Sequence, residues 1–262
     1  MDNRPLAILD SGLGGLTIAR AIWSRLPYQS TIYLADHQFF PYGDKTALQI
    51  NRRLIPLMNF LVKSNCKAVV IACNTITATS IKLLRRLYRL PIIGAEPAIK
   101  PAIKANLKEN IVVWVTHQTA VSPHFKTMIR NLDQRGQIQI IDCSGLADSI
   151  EILAQNKAKL KSVLKKYLAK IKINYSALVL GSTHYILVKD LIRQLVPSGV
   201  IVIEPSQAIA QQTKTILQQF HLLPASTGPV KRLFFTTANH SQASSTASTL
   251  LGSSIIFTPC TL

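Results

Sequence analysis

Four polar segments carry the side chains best suited to chemistry, and each one follows a short apolar run. They are Asp10-Ser11-Gly12, Cys73-Asn74-Thr75, Thr116, and Gly181-Ser182-Thr183-His184. In an open sheet of parallel strands, ligands bind in the crevice outside the carboxyl ends of the strands. We therefore expect the four segments to meet around one ligand.

Cys73 carries the most reactive group in these segments. A thiol at the end of a strand, just before a helix, lies near the N-terminal amides of that helix. Those amides favour the thiolate, which is the form that acts as a base or nucleophile. A buried and inert cysteine is the alternative. Asn74 and Thr75 add capping character that core strands avoid, and the local sequence leaves both interpretations open.

The turn from Asp10 to Gly15 is rich in glycine but matches neither common nucleotide motif. It lacks the Lys-Ser/Thr pair of a phosphate loop and the GxGxxG order of a dinucleotide site. Its aspartate would repel a phosphate and is suited to an ammonium group. An aspartate that caps a tight turn is the alternative.

Two other segments have the composition of turns. In Pro41-Tyr42-Gly43-Asp44, the glycine allows a ligand to approach the backbone closely. Gly181-Ser182-Thr183-His184 is not the G-x-S-x-G elbow of hydrolases, and a serine and histidine so close in sequence rarely form a nucleophile and its base. A polar turn that caps a helix is the alternative for this segment.

The elements that must position these segments alternate between strands and helices. Continuous apolar runs end at residues 9, 72, 115 and 180, and helical patterns follow over 16–26, 74–88 and 187–195. This alternation predicts an α/β fold with parallel sheets covered on both faces. The polar tips are similarly spaced in the two halves, which indicates either chance or two similar lobes facing each other across a cleft.

Composition narrows the class of protein. The chain has 262 residues, of which 48% are hydrophobic, so it is long enough to bury one large core or two small ones. No run of 18 apolar residues and no signal-peptide pattern is present, so we expect no membrane span. The cysteines are Cys66, Cys73, Cys143 and Cys260, with no metal-ligand spacing, which favours a reducing cytoplasm over a zinc site or a disulfide framework.

The charge balance is strongly basic, with 30 Lys and Arg against 12 Asp and Glu. Between Glu151 and Asp190 there is no acidic residue, and that stretch holds Lys157, Lys159, Lys161, Lys165, Lys166, Lys170 and Lys172. Such a stretch can attract nucleic acid, and binding would then weaken steeply with salt. A solvated lysine surface that only keeps the protein soluble is the favoured interpretation.

Taken in order, the motifs resemble glutamate racemase over nearly the full chain. They are Asp10-Ser11-Gly-Leu-Gly-Gly-Leu, Pro41-Tyr42-Gly43, Ala72-Cys73-Asn74-Thr75, the Glu96–Ala102 run, Thr116-x-x-Thr119 and Leu180-Gly181-Ser182-Thr183-His184-Tyr185, followed by Phe235-Thr236 and Leu250-Leu251-Gly252. Each motif is modest alone, whereas the ordered set is highly specific.

The resemblance implies two flavodoxin-like lobes with glutamate bound in the cleft between them. We place the lobes at 1–95 plus 207–262 and at 96–206. The resemblance also implies that the enzyme needs no pyridoxal phosphate, metal or nucleotide cofactor. Two cysteines on opposite faces of Cα then exchange the α-proton, because a thiol can act as acid or base near neutrality.

The resemblance also implies roles for individual residues. Cys73 is the base on the D-glutamate side, assisted by Asp10. Ser182 occupies the position of the second cysteine, with His184 and Glu151 as its helpers. The residues expected to hold the substrate are Ser11, Pro41, Tyr42, Gly43, Asn74, Thr75, Thr116, Thr119 and Thr183. Because an alkoxide is far harder to form than a thiolate, Ser182 predicts impaired catalysis.

Two smaller departures leave the expected fold intact: Ile186 stands where the family has a proline, and Glu204-Pro205-Ser206 where an Asp-Ser-Gly-like turn is usual. The main hypothesis is a cytoplasmic isomerase that supplies D-glutamate for peptidoglycan synthesis, and hence for cell wall biogenesis and cell shape. The alternatives are an aspartate or broad-specificity racemase, and a glutamate-binding pseudoenzyme that associates with nucleic acid or DNA gyrase. The sequence also leaves open whether the chain forms a homodimer.

Overall fold

The chain folds into two parallel sheets, each covered by helices on both faces. In this computed structural model, which describes residues 1–105 and 110–262, the first sheet has the order β10-β9-β2-β1-β3-β4 and the second the order β6-β5-β7-β8. The strands are β1 (Leu6–Asp10), β2 (Thr31–Ala35), β3 (Ala68–Ile71), β4 (Ile92–Gly94), β5 (Asn110–Val115), β6 (Ile138–Asp142), β7 (Tyr175–Leu180), β8 (Ile201–Ile203), β9 (Arg232–Thr236) and β10 (Thr258–Pro259). Every strand pair is parallel, which confirms the predicted fold class.

Twelve α-helices connect and cover the strands of the described residues. They are α1 (Leu16–Arg25), α2 (Ala47–Lys63), α3 (Asn74–Leu87), α4 (Ile99–Lys104), α5 (His117–Val121), α6 (Pro123–Leu132), α7 (Leu146–Ile152), α8 (Lys157–Leu168), α9 (Thr183–Leu187), α10 (Lys189–Arg193), α11 (Ser206–Gln219) and α12 (His240–Leu251). None of the helices in residues 1–105 and 110–262 is long and apolar enough to cross a membrane.

The apolar strands lie at the centre of each lobe because they are buried on both faces. Along β1, Leu6 and Ile8 pack into one core cluster, and Ala7 and Leu9 pack into another on the opposite face. This two-sided burial explains why the central strands are continuous apolar runs and do not alternate with polar residues.

One predicted helix has different bounds in the structure. Of residues 187–195, α10 covers Lys189–Arg193, and a separate short helix, α9 (Thr183–Leu187), precedes it, with a break at Val188. Val188 leaves the helical conformation at φ −114° and ψ 19°, and its side chain is 96% buried in the core of the second lobe. Packing of this side chain therefore accompanies a bend that the apolar pattern alone did not indicate.

The chain leaves the first sheet after β4, forms the second sheet, and returns. Helix α11 packs into the core of the first lobe through Ile209, Ala210 and Leu217, and β9 then pairs with β2. The boundaries at 1–95 plus 207–262 and at 96–206 are compatible with this path, and we retain them as a proposal.

Candidate functional site

A cavity opens between the carboxyl ends of the two sheets, and both lobes line it. Many of the predicted site residues line this cavity, namely Ser11, Pro41, Tyr42, Gly43, Cys73, Thr75, Thr116, Ser182, Thr183 and His184. Four others, Asp10, Asn74, Thr119 and Glu151, are not among the lining residues and lie behind them. The four polar segments therefore meet at one cavity, as the strand pattern predicted.

Cys73 lies at the N-cap of α3 and is 95% buried. Its thiol donates a hydrogen bond to Ser11 Oγ over 3.7 Å. Burial, and then the charge of Asp10, raise the pKa of Cys73 to about 11, although the amides of Ile76 and Thr75 act in the opposite direction. The amides are thus present as predicted, but they do not outweigh burial, and the thiol is protonated at neutral pH.

Asp10 is fully buried below the glycine-rich turn. Its Oδ2 accepts hydrogen bonds from the amides of Gly15 at 2.9 Å and Gly12 at 3.4 Å, and Thr183 Oγ1 approaches Oδ1 at 3.4 Å. Burial raises the pKa of this carboxyl, while the charge of His184 and the amides lower it. The carboxyl therefore organises the turn and also carries negative charge beside Cys73.

The glycines of this turn lie directly against residues of the second lobe. A Cβ on Gly14 would lie 2.5 Å from the backbone nitrogen of His184 and 2.5 Å from Thr183 Oγ1, and one on Gly12 would lie 2.6 Å from Glu151 Oε1. These separations are too short for any carbon atom, so only glycine allows the contact. Sequence reasoning considered ligand binding and turn formation here, and missed the contact between lobes.

Ser182 is 94% buried and lines the cavity from the second lobe, at the N-cap of α9. Its side chain makes no capping hydrogen bond, so the structure does not bear out the helix-cap alternative for the Ser182 hydroxyl. The Ser182 hydroxyl is therefore not used to cap α9.

His184, two residues after Ser182 in the chain, forms a buried ion pair with Glu151. His184 Nε2 donates to Glu151 Oε1 over 2.7 Å, and the amide of Leu13 donates to the same oxygen over 2.9 Å. Burial lowers the pKa of His184, but the hydrogen bond and charge of Glu151 outweigh burial and raise it. Burial likewise raises the pKa of Glu151, but the hydrogen bond from His184, with a smaller contribution from the nearby His37, holds it well below its ordinary range.

A chain of threonine hydroxyls crosses from one lobe to the other. Thr116 Oγ1 lies 2.9 Å from Thr75 Oγ1 and 2.9 Å from Thr119 Oγ1, and it accepts the amide of Thr119 as the cap of α5. Thr116 also packs against Gly43, where an added Cβ would lie 3.0 Å away. Hydroxyls and backbone that converge in this way are suited to binding a carboxylate.

Hydrogen bonds to residues outside the cavity lining hold the side chains of Tyr42 and Asn74. Tyr42 Oη donates to Asp36 Oδ2 over 2.7 Å, and Arg53 binds both oxygens of the same buried carboxylate at 2.8 and 2.5 Å. Asn74 Nδ2 donates to Ala95 O, while its Oδ1 is buried with no partner among the described residues. The Asp36–Arg53 ion pair therefore fixes the turn that carries Gly43.

Other residues at the cavity had no distinguishing signal in the sequence. Asp44 and Asp148 line it from opposite lobes, together with Phe40, Cys143 and Ser144. Burial, and then the charges of Asp44 and Glu151, raise the pKa of Asp148. His37 lies behind the cavity, and nothing in its sequence neighbourhood marked it.

Comparisons with known proteins agree with this geometry. Residues 17–213 match the family described as Asp/Glu/Hydantoin racemase. The chain is 35% identical to a glutamate racemase of Pseudomonas paraeruginosa over 239 residues, which are 90% of each chain. It is similar to the crystal structure of a glutamate racemase isoform from Bacillus anthracis, with a TM-score of 0.89, 30% identity, and coverage of 100% of this chain and 99% of that chain. It is also similar to a glutamate racemase from Francisella tularensis in complex with D-glutamate, with a TM-score of 0.86, 27% identity, and coverage of 100% and 98%.

Proposed function

Because this chain belongs to the Asp/Glu/hydantoin racemase family, we propose that it binds glutamate in the cavity between its lobes and exchanges its α-proton as a glutamate racemase. The observation that carries this proposal is the pair of opposed groups at one cavity. Cys73, with Asp10 beside it, comes from one lobe, and Ser182, near the His184–Glu151 ion pair, comes from the other. The aspartate-specific and pseudoenzyme alternatives are not favoured, since the relatives over most of the chain are glutamate racemases.

On the D-glutamate side, Cys73 removes the α-proton. Its thiol must first be deprotonated, and the ammonium group of the substrate assists this by offsetting the charge of Asp10. The threonine hydroxyls of Thr75 and Thr116, with the backbone of Gly43, hold carboxylate oxygens. The α-proton then resides on the Cys73 sulfur, and the electron pair is delocalised into the α-carboxylate.

On the L-glutamate side, Ser182 would have to donate a proton to the opposite face of Cα. A hydroxyl is a much weaker acid than a thiol, so this step limits the reaction. The carbanion then recovers its proton mainly from Cys73, on the face from which it was taken. Net racemisation is therefore slow, although the first half of the reaction remains.

Proton exchange in D₂O tests this proposal. We expect deuterium to enter the α-position of D-glutamate, with little entering L-glutamate and little net racemisation, as read by proton NMR of each enantiomer. Cys73→Ser should abolish the exchange, while Ser182→Cys should raise racemisation by roughly 10²–10⁴-fold, the usual contribution of one general acid–base step. The matched serine-to-cysteine and cysteine-to-serine variants change one sulfur each.

Three results would contradict the proposal in different ways. Faster exchange from L-glutamate would reverse the assignment of the two faces. Racemisation at an ordinary kcat of about 1–10³ s⁻¹ by the unmodified chain would show that a second thiol is not required. No exchange from either enantiomer, with binding confirmed, would favour a glutamate-binding pseudoenzyme.

The reaction would supply D-glutamate for peptidoglycan, which is the role that similarity to glutamate racemases implies. We propose a cytoplasmic location, in keeping with four cysteines that are all free thiols.

A further inference from the structure

We propose that His37 is a positioning residue of this site, and that it holds Glu151 in place behind His184 from the side opposite the substrate. His37 lies in the short 3₁₀ turn His37–Phe39 that follows β2, and it does not line the substrate cavity. It lines a second cavity with Glu151, between α7 and α12. The inference rests on the proposed function, because it assigns His37 to the His184–Glu151 side of that reaction.

The geometry places Glu151 between two imidazoles. Its Oε1 accepts His184 Nε2 at 2.7 Å, and its Oε2 lies 3.5 Å from His37 Nε2. All three side chains are largely buried, with exposures of 2% for His184, 12% for His37 and 14% for Glu151. Burying a carboxylate is unfavourable unless it is paired, so a donor facing the second oxygen stabilises the charge with which His184 pairs.

The orientation of His37 is set by its other nitrogen. His37 Nδ1 lies 2.8 Å from the hydroxyl of the fully buried Thr236, and its ring packs against Phe40 and Phe257. When the Thr236 hydroxyl donates to Nδ1, the proton of the neutral ring is on Nε2, which faces Glu151. Nε2 makes no hydrogen bond among the described residues, and the Glu151 carboxylate, 3.5 Å away, is the acceptor that faces it.

A chain of contacts therefore runs from Thr236 through His37 and Glu151 to His184. It joins the end of β9, which comes from the last part of the sequence, to the catalytic side of the second lobe. Removing the His37 donor would leave Oε2 less stabilised, and Glu151 would become a stronger base. His184, which also faces the charges of Asp10 and Asp148, would then hold its proton more tightly.

Histidine NMR titration tests the inference directly. In His37→Leu we expect the titration midpoint of His184 to move upward, whereas His37→Gln, which keeps an N–H donor at the same reach, should restore it. His124→Leu is the matched control, because it removes an imidazole that pairs with the distant Glu96 at 3.0 Å. An unchanged His184 midpoint in folded His37→Leu would overturn the inference.

Kinetics in the Ser182→Cys background provide a readout that a purely structural role would not alter. His37→Leu should lower kcat by about tenfold, a part of the 10²–10⁴ contributed by general acid–base catalysis, with KM within twofold. Slower proton delivery to the L-face should also leave more solvent deuterium in recovered D-glutamate. Loss of kcat without this added deuterium would contradict a role on the L-face.

Two safeguards keep the outcomes distinct. If His37→Leu does not fold, Thr236→Val carries the test, because it removes the hydroxyl that orients His37 and should shift the His184 midpoint in the same direction. If Ser182→Cys fails to racemise glutamate, the proposed function fails, while the NMR titration still decides whether His37 acts on His184.

Discussion

The pH dependence of proton exchange at Cys73 follows from its buried position. With a pKa of about 11, the thiolate fraction of the free protein is roughly 10⁻⁴ at pH 7 and rises tenfold for each pH unit below that pKa. At low D-glutamate, the exchange rate reports the pKa of the free protein. We therefore expect the rate of α-deuterium incorporation to rise roughly 100-fold between pH 6.5 and 8.5, measured by proton NMR.

Two variants separate this cause from others. Asp10→Asn removes the negative charge that raises the Cys73 pKa, so the rise with pH should end in a plateau at a lower pH, even though binding of the substrate ammonium weakens. Ser182→Ala lies on the other side of the cavity and should leave the slope unchanged. A rate that levels off below pH 8.5 in the unmodified chain would refute the reasoning, because it would show that burial does not control the thiol.

Three other changes test the packing at the site and the stability of the fold. Gly14→Ala places a methyl group 2.5 Å from the His184 backbone, so we expect calorimetry to show loss of glutamate binding while circular dichroism stays unchanged. Arg53→Gln leaves the buried Asp36 charge unpaired and should lower the free energy of unfolding by about 3–5 kcal/mol in urea titrations. Burial lowers the pKa of Lys67 to about 8, so the folded protein binds fewer protons than the unfolded chain above that pH. Stability should therefore rise between pH 8 and the ordinary lysine value, by at most about 3 kcal/mol, and Lys67→Met should flatten this rise.

The α/β architecture was accessible from the sequence because burial on both faces makes the central strands continuously apolar. The same reasoning located the polar tips, since a strand that ends at the cleft changes abruptly from apolar to polar residues. The roles of Cys73 and Ser182 came from the resemblance of ordered motifs. They remain predictions about chemistry, although the structure brings both residues to one cavity.

What the sequence could not indicate depends on contacts between distant segments. Burial and the charge of Asp10, at the end of the neighbouring strand β1, raise the pKa of Cys73. The helix amides, which the local sequence did suggest, lower this pKa by less. His37 acquires its significance only because Glu151 and Thr236 reach it from two other parts of the chain. The break at Val188 likewise reflects packing in the second lobe, which a periodic apolar pattern does not record.

The return of β9 to the first sheet has a consequence for synthesis on the ribosome. Strand β2 ends at Ala35, but its neighbour begins at Arg232, so one edge of the first sheet stays open until nearly the whole chain has emerged. At about 5–20 residues per second, that interval is roughly 10–40 s. The second sheet, by contrast, is built from one uninterrupted stretch. The later-made lobe can therefore complete its hydrogen bonding first, and the lobe that carries Cys73 is finished last.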